Sequence, residues 1–265
     1  MLISALSKVY SAALKAFFLC SSTLALSLIP ADHTMADIRF VTQDFPPFSY
    51  ADSAGKISGP FADLARHICK VKQLQCTFDI LPWSRAQAYL KGGLAEAIFP
   101  FGINKQRQEW VTFSIPVVET AYGFFLRKNK PFTLKNSDEL EGKTIGVYGP
   151  SNTATVLNEF NIDQQRFKVM MTPDDQQLFK MLFIDRVDAV FSNRDVGIAM
   201  LQRLQKQAYH YSGNYVQIGY YFGFPKHRTS KDVLIFMQTL AQMKQNKRVS
   251  GFFCTSQNID LFGCR

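Results

Sequence analysis

Residues 95–116 place an arginine where a sheet can present it to a ligand. An apolar run that begins at Ala95 ends at Pro100 and Gly102, and the polar turn that follows carries Arg107. This pattern predicts a strand, a loop and a short helical turn. Ligands of open α/β sheets lie just beyond the carboxyl ends of the strands. A guanidinium at that place can hold a carboxylate through two parallel hydrogen bonds, and the alternative is a solvated surface arginine.

Three further strand ends lead into loops that carry ligand-capable groups. The four loops are 44–48, 100–107, 149–153 and 192–195. Residues 151–153 precede a predicted helix, where unpaired backbone N–H groups and the positive end of the helix dipole favour an anion. The aromatic residues Phe45, Trp83 and Phe101 are candidates for the apolar walls of a cleft, and Trp83 is as compatible with a place in the core.

The elements that position these loops form two α/β units. Strands alternate with helices over 37–119 and again over 120–213, which predicts parallel sheets joined by right-handed crossovers. The tail, 214–265, contains one strand and one long helix and is too small to fold alone. We therefore predict that it completes the first unit, which gives two lobes, 37–119 with 214–265 and 120–213, joined by a hinge of two strands.

The first 36 residues have the features of a secretory signal peptide. Lys8 lies upstream of an uncharged apolar run over 16–29, and Lys15 stands directly before it. The run is shorter than the roughly 20 residues of a membrane span. A small-residue cleavage site follows at 34–36. The sequence therefore predicts an exported, periplasmic protein that begins near Asp37.

Charge favours an anionic ligand and gives little support to nucleic-acid binding. The whole chain has 30 basic and 21 acidic residues; loss of Lys8, Lys15 and Asp32 with the signal leaves 28 and 20, a net charge of +8. An electropositive cleft concentrates anions. No Lys/Arg run with interleaved aromatic residues is present, so a nucleic-acid partner is not expected.

Four cysteines remain after the signal segment, and an even number in an exported chain suggests disulfides. The short separations favour Cys69–Cys76 and Cys254–Cys264, with two other connectivities possible. There is no CxxC motif and the histidines are scattered. We therefore predict neither a metal site nor a cofactor.

Several segments in one order resemble the solute-binding proteins of polar-amino-acid ABC transporters (bacterial extracellular solute-binding protein family 3). The segments are Phe45-Pro46-Pro47-Phe48, 102–107 with Phe113-Ser114-Ile115-Pro116, 142–147 and 186–190. The cysteine spacing is similar to that of histidine and basic-amino-acid binders, and the Pro82-Trp83-Ser84-Arg85 segment resembles a subgroup with poorly defined ligands. The resemblance implies a type II periplasmic-binding-protein fold over the whole mature chain.

The resemblance also implies roles for individual residues. Arg107 falls on the arginine that holds the ligand carboxylate, Phe45 on an aromatic that covers the ligand, and Gly102 on a backbone N–H donor. Asn152 or Thr153 falls on the second-lobe carboxylate contact, and Phe101 and Trp83 remain candidate walls. The chain departs from the family at three positions, Pro100, Asn104 (usually Thr) and Asn193, which stands in place of the aspartate that binds an α-ammonium group. Arg85 is a candidate second anion contact, and Asp195 or Asp44 is a candidate substitute for the missing acid.

The leading hypothesis is a monomeric periplasmic receptor that closes around a small carboxylate-bearing solute, an amino acid or a related compound, and delivers it to an ABC permease. The first alternative is an enzyme that resembles cyclohexadienyl and arogenate dehydratases, with Glu96 or Glu119 as the general acid by position only. The second is a sensor that signals through another membrane protein. No nucleophile elbow or phosphate-binding glycine loop supports a catalytic function.

Overall fold

A computed structural model describes residues 38–128, 137–161, 166–254 and 261–262. The predicted signal peptide, residues 1–36, lies outside the described residues, as does Cys264 of the predicted Cys254–Cys264 pair. Within the described part of the chain, no helix has the length and apolar character needed to cross a membrane.

The elements alternate between strands and helices, as the sequence predicts. The first part of the chain contains β1 (Ile38–Thr42), β2 (Tyr50–Ala51), β3 (Ile57–Ser58), α1 (Pro60–Lys72), β4 (Cys76–Ile80), α2 (Trp83–Gly92), β5 (Ala97–Gly102), α3 (Lys105–Trp110), β6 (Val111–Phe113) and β7 (Val118–Arg127). A short 3₁₀ helix (Ser137–Leu140) is followed by β8 (Thr144–Tyr148), α4 (Asn152–Asn161), β9 (Lys168–Thr172), α5 (Asp175–Phe183), β10 (Ala189–Asn193), α6 (Arg194–Arg203), β11 (Tyr209–Tyr211), β12 (Val216–Pro225), α7 (Lys231–Gln245) and α8 (Ser250–Phe253).

One sheet of ten strands contains most of the strands of the described segments. Its main path runs β4-β1-β5-β12-β7-β10-β8-β9, with β6 beside β12 and β11 beside β7. Strand β1 is parallel to β4 and β5, and β8 is parallel to β9 and β10. The sheet therefore has a parallel group at each end, as expected for two successive α/β units.

Two long antiparallel strands join these parallel groups. Strand β12 pairs with β7 through 216–220 and with β5 through 220–223. Strand β7 pairs with β12 through 118–122 and with β10 through 122–125. Each strand thus passes from one parallel group to the other, which is the two-strand connection that the sequence predicts. The tail beyond residue 213 contributes β12 to this connection.

Local sequence explains how α1 begins and how its end is joined to β4. Gly59 has a φ of 106°, and a Cβ there would lie 2.7 Å from the carbonyl oxygen of Phe48, so glycine permits the close approach. Pro60 occupies the first turn of α1, where its missing N–H is not needed. The Cys69–Cys76 disulfide joins the end of α1 to the first residue of β4, as predicted.

The predicted start of α5 is wrong by two residues. The sequence pattern suggests Thr172 as the cap and Pro173 as the first helical residue. Instead, Thr172 pairs with Tyr148 as the last residue of β9. Asp174 is the N-cap, and its Oδ1 accepts a hydrogen bond of 2.9 Å from the Gln177 amide. Sheet pairing therefore extends the strand, and the next residue with a suitable side chain caps the helix.

Candidate functional site

Arg107 reaches the interior because α3 is anchored at its first turn. Asn104 is the N-cap of α3, and its Oδ1 accepts a hydrogen bond of 2.8 Å from the Arg107 amide. This six-residue helix follows directly on the loop after β5. The Arg107 side chain is 6% exposed, so it is not the surface arginine that the isolated window also allowed.

The Arg107 guanidinium is fixed by neutral groups. Nη1 donates to the Gly102 carbonyl at 2.8 Å and Nη2 donates to Gln87 Oε1 at 3.2 Å. Its central carbon lies 4.1 Å from the Phe101 ring centre and 5.7 Å from that of Trp83, within the range of cation–π attraction. Burial lowers the pKa of Arg107 to about 10, so it keeps its charge at neutral pH.

Among the described residues, no carboxylate lies within 4.0 Å of that guanidinium. The rings of Phe101 and Trp83 pack against the guanidinium, and both belong to one buried cluster. A buried cation without an acidic partner is costly unless a ligand supplies the anion.

A small central cavity lies beside Arg107. Its volume is about 30 Å³, which is enough for one or two water molecules and too small for a solute of amino-acid size. Its walls consist of Gln43, Phe45, Trp83, Pro100, Gly102, Arg107, Tyr122, Tyr148, Ser151, Asn152, Thr153 and Tyr220. Arg107 is the one charged side chain among these residues.

A hydrogen-bonded network covers the inner wall of the central cavity. Asn152 donates through Nδ2 to the Tyr122 hydroxyl at 3.3 Å and accepts at Oδ1 from Asn104 Nδ2 at 2.9 Å. Burial, with a smaller contribution from the neighbouring Tyr122, raises the pKa of Tyr220 well above its ordinary value. Tyr220 is therefore neutral at physiological pH.

A larger space, the basic chamber, adjoins the central cavity and shares Arg107, Ser151 and Asn152 with it. Its volume is about 400 Å³, within the usual range for small-molecule sites. Its other walls are amides, hydroxyls and apolar groups together with one more cation: Ser84, Gln87, Ala88, Lys91, Asn104, Gln106, Trp110, Pro150, Ala154, Thr155, Asn158 and Met171. Ser151 Oγ accepts from the Ala154 amide and so caps the start of α4, whose positive end faces this chamber.

A third space, the acidic chamber, adjoins the central cavity at Gln43, Trp83 and Tyr148. Its volume is about 470 Å³. Asp44, Asp174 and Asp175 line it together with Arg203, which lies 4.0 Å from Asp44. Burial, followed by the charges of Asp174 and Asp44, raises the pKa of Asp175 to about 7. Burial also raises the pKa of Asp44, against the opposing effect of Arg203.

Two side-chain hydrogen bonds cross the cleft, each between a residue that precedes β7 and a residue of β8 or α4. At the basic chamber, Asn104 donates to Asn152 at 2.9 Å. At the acidic chamber, the Tyr148 hydroxyl donates to Gln43 Oε1 at 2.8 Å.

The candidate residues from the sequence fall into three groups. Phe45, Trp83, Gly102, Arg107, Asn152 and Thr153 line the central cavity, and Asn104 lines the basic chamber. Phe101 packs against the Arg107 guanidinium. Arg85, the further candidate, is exposed and donates to the Tyr89 hydroxyl at 2.9 Å.

Asn193 lies apart from all three spaces. Its Oδ1 accepts from the amides of Asp195 and Val196, as the N-cap of α6, and its Nδ2 donates to Thr120 Oγ1 at 3.1 Å. Asp195 is fully buried and accepts from Thr120 Oγ1 at 2.5 Å, from the Arg194 guanidinium and from the Phe262 amide at 3.0 Å. Both side chains are committed to the protein itself.

Sequence reasoning missed Gln43, Gln87, Tyr122, Tyr148 and Tyr220. Gln43 directly follows β1, and Tyr148 is the last residue of β8. The rule that ligands lie at strand ends would have found both. Tyr122 and Tyr220 lie within the long apolar strands β7 and β12, where no pattern marks a particular side chain.

Comparison with known proteins identifies the family. The model for "Bacterial extracellular solute-binding proteins, family 3" matches residues 38–252. The chain belongs to this family. It is 27% identical to the arginine-binding periplasmic protein of Mannheimia haemolytica over 188 residues, which cover 71% of this chain and 74% of that protein. It is 26% identical to the histidine-binding periplasmic protein of Escherichia coli (strain K12), with 65% of each chain covered.

Among solved structures, this family 3 member resembles an ancestral arginine-binding protein bound to arginine. The TM-score is 0.74 at 23% identity, covering 83% of this chain and 98% of the other. The likeness shows that the chain has the two-lobed α/β fold of periplasmic binding proteins.

The named relatives are binding proteins, so the family does not favour an enzyme. Glu96 accepts from the Arg39 amide through Oε2 at 2.9 Å, and Glu119 is exposed on β7. Neither lines the central cavity or the two chambers. Within the segments that the structure describes, no cluster of three or more His, Cys, Asp or Glu side chains is suited to a metal.

Proposed function

We propose that this protein is the periplasmic substrate-binding component of an ABC transporter and captures a small carboxylate-bearing solute in the cleft. The observation that carries the proposal is Arg107, a buried guanidinium held by neutral partners and without an acidic one among the described residues. A charge-assisted pair with a ligand carboxylate would contribute about 1.5–3 kcal/mol. The positive end of α4 would add to this attraction.

In this proposal the lobes consist of 37–119 with 214–265 and of 120–213, and they close by rotation about β7 and β12. The separation of the hydrophobic clusters supports this division. One cluster combines residues from the first part with the tail, and two others draw mainly on residues between 122 and 216. The solute would occupy the basic chamber with its carboxylate at Arg107, while Asn104, Asn152 and Thr153 contact it from both sides.

The names of the relatives support a periplasmic location, and the segment 1–36 would serve as the export signal. We propose a monomer that delivers its solute to a membrane permease. Loss of solute uptake when the gene is deleted would support transport. Unchanged uptake, together with loss of a transcriptional response to the solute, would support the sensor alternative instead.

The test uses protein that begins at residue 37, stripped of bound solute by unfolding and refolding. A thermal-shift panel contains amino acids, hydroxy acids, dicarboxylates, aromatic acids and sugars. A ligand at 100 times its dissociation constant stabilises the folded state by about 2.7 kcal/mol. We expect a shift that is lost in Arg107→Ala and retained in Arg186→Ala, which removes an exposed arginine away from the cleft.

Arg107→Lys provides a second variant that keeps the charge and loses the bidentate fork, so it should bind with intermediate affinity. Circular dichroism of each variant without ligand confirms folding. Equal affinity in Arg107→Ala and in the wild type would contradict the proposal.

A further inference from the structure

Among the residues that the structure describes, no acidic side chain lines the central cavity or the basic chamber. Their charged groups are Arg107 and Lys91, both positive. An α-amino acid bound at Arg107 must place its ammonium group beside its carboxylate, because both are attached to the same carbon. The ammonium would therefore lie within these two spaces, near two cations and away from a counter-ion. Removal of such a charge from water without a partner is costly.

Several neutral oxygens of the central cavity are already used as acceptors. Gln43 Oε1 accepts from the Tyr148 hydroxyl, Asn152 Oδ1 from Asn104, and the Gly102 carbonyl from Arg107. The Tyr122 hydroxyl accepts from Asn152. An ammonium group, which needs three acceptors, would have to compete for each of them.

The nearest acids on the tyrosine side are not accessible. Asp195 has no exposed surface, and its two oxygens accept from Thr120, Arg194 and the Phe262 amide. The adjacent Arg194 guanidinium neutralises its charge. Asn193, which the resemblance places at the acid that binds an α-ammonium group, is neutral and is committed to the cap of α6.

Asp44, Asp174 and Asp175 line the acidic chamber, on the other side of Gln43, Trp83 and Tyr148. Gln43, Trp83 and Tyr148 form the wall that this chamber shares with the central cavity, and the Gln43–Tyr148 hydrogen bond closes it. An ammonium on the α-carbon of a solute anchored at Arg107 remains on the Arg107 side of this wall.

We infer that the solute is a carboxylate that lacks an α-ammonium group, such as a 2-hydroxy acid or a simple carboxylic acid. This inference rests on the proposed function, since it assumes that Arg107 holds the carboxylate. Hydroxyls and amides around the basic chamber, among them Ser84, Gln87 and Asn158, suit the polar but uncharged groups of such a solute. A hydroxyl donates and accepts with neutral partners and requires no counter-ion.

The experiment compares matched pairs of ligands that differ only at the α-position. Calorimetry on the purified protein uses L-glutamate with 2-hydroxyglutarate, L-phenylalanine with phenyllactate, L-histidine with imidazolelactate, and L-arginine with its 2-hydroxy analogue. We expect at least tenfold tighter binding for the hydroxy acid of whichever pair binds. Tighter binding of the amino acid, lost in Arg107→Ala, would overturn this inference and leave the proposed function intact. If neither these pairs nor the other carboxylates of the panel bind, both proposals are wrong.

A gain-of-function variant provides an independent test. Gln43→Glu adds a carboxylate to the wall of the central cavity and keeps an oxygen that can accept from Tyr148. We expect it to bind the amino acid of the matched pair at least tenfold more tightly than the wild type does. Gln75→Glu, the same change at an exposed position outside the cleft, should leave the preference unchanged. Equal amino-acid affinity in Gln43→Glu and the wild type would count against the inference.

Discussion

The basic and acidic chambers have similar volumes, about 400 and 470 Å³, and opposite charge. Counted over the described segments, the basic chamber has two cations and no acid, whereas the acidic chamber has three carboxylates and one arginine. Both adjoin the central cavity, and each has one hydrogen bond that crosses the cleft. The difference teaches that size does not identify a binding site here. An anion finds an uncompensated partner at one end only, while the other end has charges that repel one another.

The largest expected effect comes from supplying the missing acid within the protein. In Gln87→Glu, a carboxylate would replace the amide whose oxygen lies 3.2 Å from Arg107 Nη2. The pair would stabilise the unliganded protein by about 1.5–3 kcal/mol and weaken carboxylate binding by about 10- to 100-fold, since the ligand must compete with it. Titration calorimetry measures the affinity, and thermal unfolding measures the stability.

Gln108→Glu is the matched control for this change. Gln108 is exposed on the same short helix as Arg107 and does not line the cleft. If both variants weaken binding equally, net charge explains the effect and the role of Arg107 as the anion partner is contradicted.

The acidic chamber should make the stability of the protein depend on pH. The pKa of Asp175 is raised from 3.8 to about 7, so between these values the folded protein binds a proton that the unfolded chain releases. Stability should therefore fall as the pH rises from about 4 to 7 and change little above that. Asp175→Asn removes this contribution and should be more stable than the wild type at pH 8 by about 1–2 kcal/mol, after allowance for solvent screening.

Unfolding of both proteins at pH 5 and pH 8 measures the difference, with Glu159→Gln, an exposed change of the same charge, as the control. The groups that face Asp175 in this chamber are Asp44, Asp174, Arg203 and Tyr148. If the stability of the wild type rises between pH 5 and pH 8 by as much as the stability of Asp175→Asn does, the raised pKa does not belong to Asp175.

The two bonds that cross the cleft allow a direct comparison of its ends. Asn104→Thr keeps a residue that can cap α3 and loses the amide that donates to Asn152, whereas Tyr148→Phe loses the hydroxyl that donates to Gln43. A typical hydrogen bond contributes about 1 kcal/mol, so each variant should weaken binding roughly fivefold if closure forms both bonds. Calorimetry on the two single variants and the double variant shows whether the losses add.

The smallest effect is expected at Lys91, an exposed cation at the basic chamber. Lys91→Gln should weaken anion binding by about two- to threefold at low salt, and the difference should disappear near 0.5 M salt because exposed charges are screened. A salt-independent loss of more than tenfold would mean that Lys91 contacts the ligand directly and that the basic chamber has two anchors.

The sequence predicts the sheet and the position of Arg107 because both depend on local patterns. Alternating apolar segments and the break at Pro100 and Gly102 are sufficient to predict the short helix and its arginine, and the structure adds the cap at Asn104. The resemblance adds Phe45, Gly102 and Asn152, which line the central cavity.

The rest of the site depends on contacts between distant segments. Gln43 and Tyr148 are 105 residues apart and meet only when both halves of the sheet have formed. The pKa of Asp175 is raised by burial in the folded protein, then by Asp174 and by Asp44, which lies far away in the sequence. No local spacing contains that information, and the number of acids at each end of the cleft becomes visible only after folding.

Arg107 forms part of the wall of both the central cavity and the basic chamber. In the proposed binding mode, the anchor for the carboxylate is therefore distinct from the surfaces that contact the remainder of the solute. Substitutions at chamber positions such as Ser84, Ala88 or Asn158 change the length and polarity of the space without disturbing the guanidinium. A lineage can exchange one solute for another by a few such substitutions and retain a functional protein at each step.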